Sequence, residues 1–366
     1  MERIKKNFGF GCMRLPMDGE KVDLPQFSVM VDKFLESGFN YFDTAHGYLS
    51  GQSEVAVREC LTSRYPRDAY VLTDKLSGFM FEKEEDIRRV FAEQLEICGV
   101  DYFDFYLMHA QHAGNYVKFC DCRAYETAYE LKKEGKIRHL GLSFHDSPEM
   151  LEKILSEKPF VEVVQLQINY LDYDDNRVQG RKCLEICRKY GKKVIVMEPV
   201  KGGSLVNIPD DAKKVFASLG NGSAASYALR FAAGCENVFM VLSGMSDIAQ
   251  VEDNIKTMKD YAPLNDAETE AVNKVCSIIR GLAIPCTGCR YCTDGCPMKI
   301  AIPNIISALN AEKMFGKDGK GHYDYVIKSG SGKAGECIKC GQCEDVCPQK
   351  LNIRDILEKA AEKYEK

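Results

Sequence analysis

The sequence predicts an α/β protein in which eight short apolar strands alternate with amphipathic helices to close a parallel (β/α)8 barrel over residues 1–282. A small cysteine-rich, largely helical domain follows over 283–366. Three observations predict this. Strand-like and helix-like runs alternate from Phe8 to Ser243. Three successive strand-like runs stop abruptly in polar residues, at Asp43, Lys75 and His109. Eight of the 17 cysteines fall after residue 282, as two copies of one spacing. An open doubly wound sheet is the structural alternative.

Taken in order, Phe8-Gly9-Phe10-Gly11-Cys12-Met13 reads as a first strand whose glycines permit close approach of backbone or ligand. Pro25 to Ser37 repeats Phe27, Met30, Val31, Phe34 and Leu35 at helical spacing and stops before Gly38. Tyr41-Phe42-Asp43 is the second strand, with Tyr48 in the loop or helix start beyond it. Ser53 to Ser63 is helical, Tyr70 to Lys75 is the third strand, and Glu84 to Cys98 is an amphipathic helix stopped by Gly99. The fourth strand, from Asp104, ends at His109. A loop holding Cys120 and Cys122 precedes a helix from Tyr125 to Glu134, and the fifth strand runs from Lys136 to Ser143. Val161 to Gln167, Lys193 to Glu198 and Val238 to Ser243 complete the set, with helices over Asn176 to Tyr190 and Ser223 to Ala233. Asp266 to Leu282 is one more helix, and Asn352 to Lys366 a closing one.

With 366 residues and 45% hydrophobic content, a large core is available. A net charge of -5 and no basic patch interleaved with aromatics argue against a nucleic-acid partner. No segment has the apolar length of a membrane span or the pattern of a signal peptide, so a cytoplasmic protein without a membrane partner is expected. Cysteines in such a chain point to thiols and metal rather than disulfides.

The C-terminal cysteines are the most specific feature. Cys286, Cys289, Cys292 and Cys296-Pro297 are repeated by Cys337, Cys340, Cys343 and Cys347-Pro348. Spacings of three, three and four closed by proline match the bacterial ferredoxin run and predict two 4Fe-4S clusters. Paired structural zinc sites are the competing reading, although zinc sites favour paired CxxC units. Resemblance to two-cluster ferredoxins implies crossed ligation: Cys347 with Cys286, Cys289 and Cys292, and Cys296 with Cys337, Cys340 and Cys343.

The segment Gly38-Phe39-Asn40-Tyr41-Phe42-Asp43-Thr44-Ala45 to Tyr48, the strand ending in Lys75, and Leu107-Met108-His109 are joined by Gly141-Leu142-Ser143, Gln165 to Asn169, Glu198 to Gly203 and Ser243 to Asn254. Together they resemble the aldo-keto reductases over roughly residues 1–280. The whole chain resembles the prokaryotic branch with a C-terminal ferredoxin-type extension. The resemblance implies a TIM-barrel enzyme that reduces a small carbonyl compound with NADPH or NADH, and a catalytic tetrad of Asp43, Tyr48, Lys75 and His109. Hydride delivery leaves negative charge on the carbonyl oxygen, so a proton donor and fixed dipoles must be close to it. Tyr48 is the candidate donor, Lys75 is expected to lower its pKa, Asp43 to hold Lys75, and His109 to bond the substrate oxygen.

By the same resemblance Ser143, Gln165 and Asn169 hold the nicotinamide carboxamide, while Gly244, Ser246, Gln250 and Asn254 lie where phosphate or adenosine binds. Two departures stand out. Met197 occupies a position commonly aromatic in the family, and Gly244 to Asn254 contains no Lys or Arg to meet a 2'-phosphate.

Each residue also has an ordinary reading, as cap, core residue or solvated charge; the convergence of four at three strand ends favours catalysis. His46, His112 and His145 are candidates for lining the substrate pocket. Cys183 and Cys187, four apart on a helix, read as core thiols. Clusters move single electrons whereas nicotinamide moves a hydride, so a flavin is a candidate bridge, although no flavin motif is visible. Two further functions stay open. One is a ferredoxin-linked reductase fed through the clusters by an electron-transfer partner; the other is a non-catalytic redox sensor on a barrel scaffold.

Overall fold

The computed structural model describes residues 1, 3–220 and 222–366. They form two compact units, Met1–Val206 with Gly222–Glu268, and Asn207–Asn221 with Thr269–Lys366. Among the described residues no helix is long and apolar enough to cross a membrane.

The first unit is a closed, all-parallel barrel. Its strands are β1 (Phe8–Gly11), β2 (Tyr41–Asp43), β3 (Val71–Leu76), β4 (Phe103–Gln111), β5 (Ile137–Phe144), β6 (Val163–Gln167), β7 (Lys193–Met197) and β8 (Val238–Gly244). They neighbour one another in sequence order, and β1 pairs with both β2 and β8 to close the ring. The doubly wound alternative is thereby excluded.

Strand alternation decides which face each residue takes. Tyr41, Val71, Phe105, Leu107, Val163, Ile195, Met240 and Leu242 form a separate cluster inside the barrel. Two residues on, along the same faces, stand Asp43, Thr73, His109 and Gln165, and a further two along β3 stands Lys75. The polar residues are therefore the top layer of the barrel filling, at the strands' C-terminal ends. The opposite faces of β1 and β2 carry Phe10 and Phe42, which join Phe34 of α1 (Leu24–Glu36) with ring centroids 5.4–5.9 Å apart.

Helix ends follow local chemistry. Asp23 caps α1 by accepting from the Gln26 amide at 3.0 Å, and α3 (Glu84–Cys98) ends on Gly99 with φ of 66°. The helix at 53–63 starts one residue earlier as α2 (Gln52–Val57) and continues as a π-turn over Arg58–Thr62. The expected loop around Cys120 is instead a helix, α4 (Ala113–Asp121), with Cys122 as its C-cap. Gly114 and Asn115 are poor helix formers, but His112 Nδ1 accepts from the Gly114 amide and Asn115 Oδ1 from the His112 amide, and these bonds start it. α5 (Ala124–Lys133) follows as expected. An additional helix, α6 (Pro148–Glu157), is capped by Ser147 with proline in its first turn. The expected helix from Asn176 begins late, as α7 (Gly180–Lys189), because Asp175 accepts from the Arg177 and Val178 amides and makes a turn. Cys183 and Cys187 on α7 lie in the hydrophobic core. α9 (Ala224–Gly234) and α10 (Ile248–Lys259) complete the barrel's helices, and α8 (Asp210–Ala217) belongs to the second unit. The helix α11 (Asp266–Leu282) has the expected span, and the compact units divide after Glu268, near its first turn.

In the second unit the cysteine repeat becomes a structural repeat. Two four-residue helices, α12 (Tyr291–Asp294) and α15 (Gln342–Asp345), each follow a residue in the left-handed conformation, Arg290 or Gly341. Left-handed Lys299 and Lys350 then follow the two Cys-Pro pairs. Ile302, Ile305 and Ile306 of α13 (Ile302–Phe315) pack with Leu357 and Tyr364 of α16 (Ile353–Tyr364), and Tyr323 of α14 (Lys320–Lys328) meets Tyr364 at 5.1 Å.

Gly141 tests the barrel's packing. A Cβ there would lie 2.4 Å from Val163 Cγ2, 2.6 Å from Leu107 Cδ2 and 2.6 Å from the Val163 carbonyl oxygen, which is backbone and unable to yield. We expect Gly141→Ala to lower stability by about 3 kcal/mol or more in urea unfolding. Gly135→Ala, at φ of 80° with open space around it, should cost only about 1–2 kcal/mol. Equal losses would show that the barrel interior is looser than these distances imply.

Candidate active site and thiol cavities

The barrel brings the tetrad together. Lys75 Nζ donates to Asp43 Oδ1 at 2.5 Å and to the Thr44 carbonyl at 2.7 Å, and lies 4.7 Å from the centroid of the Tyr48 ring. The Tyr48 and His109 rings meet edge to face with centroids 5.8 Å apart. Asp43 and Lys75 are buried, while Tyr48 and His109 are half-buried at the barrel mouth. Asp43 Oδ2 accepts from Gln165 Nε2 at 3.0 Å, so both oxygens of this buried carboxylate are engaged.

Burial works against the Lys75 ammonium, but the charge of Asp43 and its hydrogen bond outweigh it and hold Lys75 protonated. Burial likewise pushes the Asp43 carboxyl up, opposed by Lys75 and Gln165. The expected lowering of the Tyr48 pKa is corrected by the structure: removal from water pushes the phenol up, and the nearby ammonium offsets only part of that. Burial, the Lys75 charge and His145 push His109 down to about 3, so its imidazole is neutral. Its Nδ1 lies 2.6 Å from Ser77 Oγ.

Sequence reasoning missed a second polar layer, on the outer face of the strands. Asp74 faces away from Lys75 and lies with Glu54 and Cys98, their nearest ligand atoms within 4.8 Å of one another. Burial and the Glu54 charge drive the Asp74 carboxyl well up, which favours its protonated form. Glu54 also accepts from Gln94 Nε2 at 3.1 Å and meets His46 Nδ1 at 2.7 Å. The network clasps the lysine backbone: Lys75 N donates to Asp74 Oδ1 at 2.8 Å and Lys75 O accepts from Gln94 Nε2 at 3.1 Å. The Ser53-Glu54 pair, set at the start of a helix five residues after Tyr48, was the available signal.

The expected nicotinamide residues are dispersed among several tasks. Ser143 Oγ accepts from the Ala110 amide at 2.7 Å, and Gln165 serves Asp43. Asn169 donates to Asp172 and to the Glu198 carbonyl and accepts from the Leu171 and Asp172 amides. Asp172, also missed, accepts from Gln167 and Lys201 at 2.7 Å each and so ties the loops after β6 and β7. Gly244 ends β8. Ser246 N donates to Gln250 Oε1 at 2.9 Å, and Asn254 Nδ2 to Ser243 Oγ at 3.1 Å. Of the three rim histidines, His46 is held by Glu54, His112 caps α4, and His145 helps line a cavity of about 160 Å³ with Gln167, Arg177 and Cys183 that contains no tetrad residue.

In the second unit the thiols fall into two groups. Cys296, Cys337, Cys340 and Cys343 line one cavity, and Cys286, Cys289, Cys292 and Cys347 line the other. Each cavity takes three cysteines from one run and the fourth from the other. Four thiols around one apolar space are the donor set a 4Fe-4S cluster requires.

Residues 7–276 match the Aldo/keto reductase family and residues 285–351 the 4Fe-4S dicluster domain. The chain belongs to the aldo/keto reductase family, as an oxidoreductase that carries a C-terminal 4Fe-4S dicluster domain. It is similar to the NADH-specific methylglyoxal reductase of Escherichia coli (strain K12), 30% identical over 48% of this chain and 58% of that protein. It is also similar to the L-galactose dehydrogenase of Arabidopsis thaliana, 25% identical over 68% of this chain and 83% of that one. The match therefore spans less than two thirds of the first relative's length. The holo form of an aldo-keto reductase from Bacillus halodurans has a TM-score of 0.61 and 26% identity, covering 74% of this chain and 91% of its own. An aldo-keto reductase from Klebsiella pneumoniae, solved with NADPH, shares the fold with a TM-score of 0.59 at 19% identity over 74% and 90% of the two chains.

The buried ion pair gives a stability prediction. Lys75→Met leaves a buried carboxylate without its cation and should lower barrel stability by about 3–5 kcal/mol. Adding Asp43→Asn removes the stranded charge and should restore most of that loss in urea unfolding. A double variant no more stable than the single one would show that the charge pair is not what the lysine contributes.

Proposed function

We propose that the chain reduces a small aldehyde or ketone at the C-terminal mouth of the barrel, with Tyr48 as general acid. The observation that carries this reading is the Lys75 ammonium, bonded to Asp43 at 2.5 Å and standing 4.7 Å from the Tyr48 ring beside a neutral His109. A nicotinamide, as in the NADH-specific relative and the NADPH-bound Klebsiella enzyme, supplies the hydride when bound. Gly203, in the loop after β7, leaves room for it, since no atom lies within 4 Å of where a Cβ would stand. Ser143 and Gln165 are the proposed carboxamide contacts, and Asn169 shapes the same wall through Asp172. Gly244, Ser246, Gln250 and Asn254 border the phosphate and adenosine end.

Tyr48 remains protonated at neutral pH because burial raises its pKa, which keeps the proton available for the carbonyl oxygen. Lys75 stabilises the phenolate left behind, and Asp43 keeps Lys75 in place. With the Ser77 hydroxyl donating to Nδ1, His109 presents its Nε2–H to the same oxygen. The acid must be protonated to act, so kcat/KM should hold through neutral pH and fall as pH rises above 10. No inflection from His109 is expected between pH 5 and 8, since its transition lies near 3. Tyr48→Phe should lose about 100-fold or more in kcat with an undiminished far-UV spectrum. Reduction at the wild-type rate by that variant would remove Tyr48 from the chemistry.

The eight cysteines are proposed as ligands of two 4Fe-4S clusters with the crossed sets described above, in a domain beginning near residue 283. This arrangement also favours a second reading, in which electrons reach the barrel from an electron-transfer partner through the clusters. Anaerobic titration with NADH, NADPH and dithionite, followed by electron paramagnetic resonance, separates the two. Cluster reduction in step with nicotinamide oxidation supports one electron path; clusters that respond only to dithionite leave the barrel as an independent carbonyl reductase. Cys347→Ser should cost the cluster shared with Cys286, Cys289 and Cys292, lowering iron from about eight per chain toward about four. Loss from the other cavity instead would refute the crossing.

A further inference from the structure

We propose that Arg14, which follows β1, is the cation that receives a phosphate of the dinucleotide, in place of the basic residue absent from Gly244 to Asn254. The proposal rests on the nicotinamide reading above. Arg14 lies far from that segment in sequence, but β1 neighbours β8 in the barrel, and β8 neighbours β7. Its stem runs across Gly244, where a Cβ would stand 3.3 Å from Arg14 Cβ and 3.4 Å from its Cδ. Its guanidinium reaches Gly202 in the loop after β7, with Nη2 only 3.0 Å from where a Cβ would be.

Two glycines thus clear the track along which the arginine lies, and Gly202, at φ of 58°, adopts a conformation that other residues rarely take. The backbone at Arg14 is fixed, because its carbonyl accepts from Ser246 Oγ at 2.9 Å. Ser246 is itself one of the residues expected at the phosphate end, so one hydrogen bond ties Arg14 to that end of the site. The nearby Lys201 ammonium is occupied by both oxygens of Asp172 at 2.7 Å. Arg14, by contrast, is exposed and makes none of the ion pairs seen among the described residues, so its planar donor edge stays available for an anion. A guanidinium offers two parallel N–H groups to a phosphate, which a lysine in the missing position would not. The β1 loop therefore contributes a coenzyme contact that the β8 segment lacks.

Arg14 is exposed, so Arg14→Gln should fold normally. The test is equilibrium titration of the full chain, purified anaerobically, with NADPH, NADH and 2',5'-ADP, reading Kd by fluorescence or calorimetry. Losing a charged hydrogen bond to phosphate should weaken binding about tenfold or more. Weakening confined to NADPH and 2',5'-ADP assigns Arg14 to the 2'-phosphate; equal weakening of NADH assigns it to the pyrophosphate. Arg14→Lys should fall between wild type and Arg14→Gln. If the wild type binds a dinucleotide and Arg14→Gln binds it equally well, the assignment of Arg14 is overturned and the nicotinamide reading stands. If the wild type binds none of the three, the nicotinamide reading fails and takes the Arg14 proposal with it.

Discussion

The buried pair of Asp43 and Lys75 is the constraint around which the barrel mouth is arranged. Two charges removed from water cost several kcal/mol each, and their attraction repays this only when the remaining hydrogen-bonding capacity is also met. The structure meets it from four strands or the loops that leave them. Gln165 from β6 serves one Asp43 oxygen and Lys75 from β3 the other, while the Thr44 carbonyl takes a second ammonium proton. The Asp43 carbonyl accepts from the Cys12 amide after β1 at 2.8 Å. Closing the barrel is thus what pairs the charges, and the paired charges in turn fix the field in which Tyr48 sits.

The outer layer explains how that field stays in register. Because side chains alternate along β3, placing Lys75 inside forces Asp74 outward, beneath α2 and α3. An ionised acid beside Glu54 would repel it there, so a shared proton makes the pair tolerable. The outcome is a network that grips Lys75 at both its N–H and its carbonyl. It extends to His46, two residues before Tyr48. Leu49 and Ser50, directly after Tyr48, both lie in the left-handed region, at roughly 1–2 kcal/mol each. The turn is anchored on both sides, by Thr44 to Ser53 at 2.7 Å and by His46 to Glu54 at 2.7 Å. Strain next to the proposed catalytic tyrosine is sustained by bonds from α2, whose first residues the same turn delivers.

Much of this was legible in the sequence because it follows from periodicity. The strand end at Asp43, the helix from Glu84 to Cys98 and the thiol repeat are set by local pattern and stand in the structure, whereas the strands expected to end at Lys75 and His109 run on to Leu76 and Gln111. Features that need two distant segments were not legible. The Tyr48 pKa was read from its cationic neighbour alone, whereas the amount of water removed from the phenol depends on the packed barrel. Asp74 looked like a strand residue next to a lysine, since nothing local shows that Glu54 lies across from it. Asp172 could not be seen as the hub for Asn169 and Lys201, which approach it from two loops. α4 and α6 were missed for a different reason: their start signals lie in the caps His112 and Ser147 rather than in long apolar stripes.

The thiol cavities carry the same lesson into the second unit, where the repeat in sequence does not correspond to two independent sites. Each run gives three cysteines to one cavity and its last to the other, so neither cavity is complete without both runs. The left-handed residues before α12 and α15 turn each third thiol back toward the first two. The Cys-Pro pairs then direct each fourth thiol across the unit. The apolar core of the unit, which includes Ile300, Ile302, Ile305, Ile306, Leu357 and Tyr364, packs against cysteines of both runs. If each cluster takes its ligands as the cavities group them, its binding free energy is available only with both runs folded together. Two residues separate the first three thiols of each run and three precede the fourth, so an insertion within a run would disturb both the cavity that takes its first three cysteines and the one that takes its last.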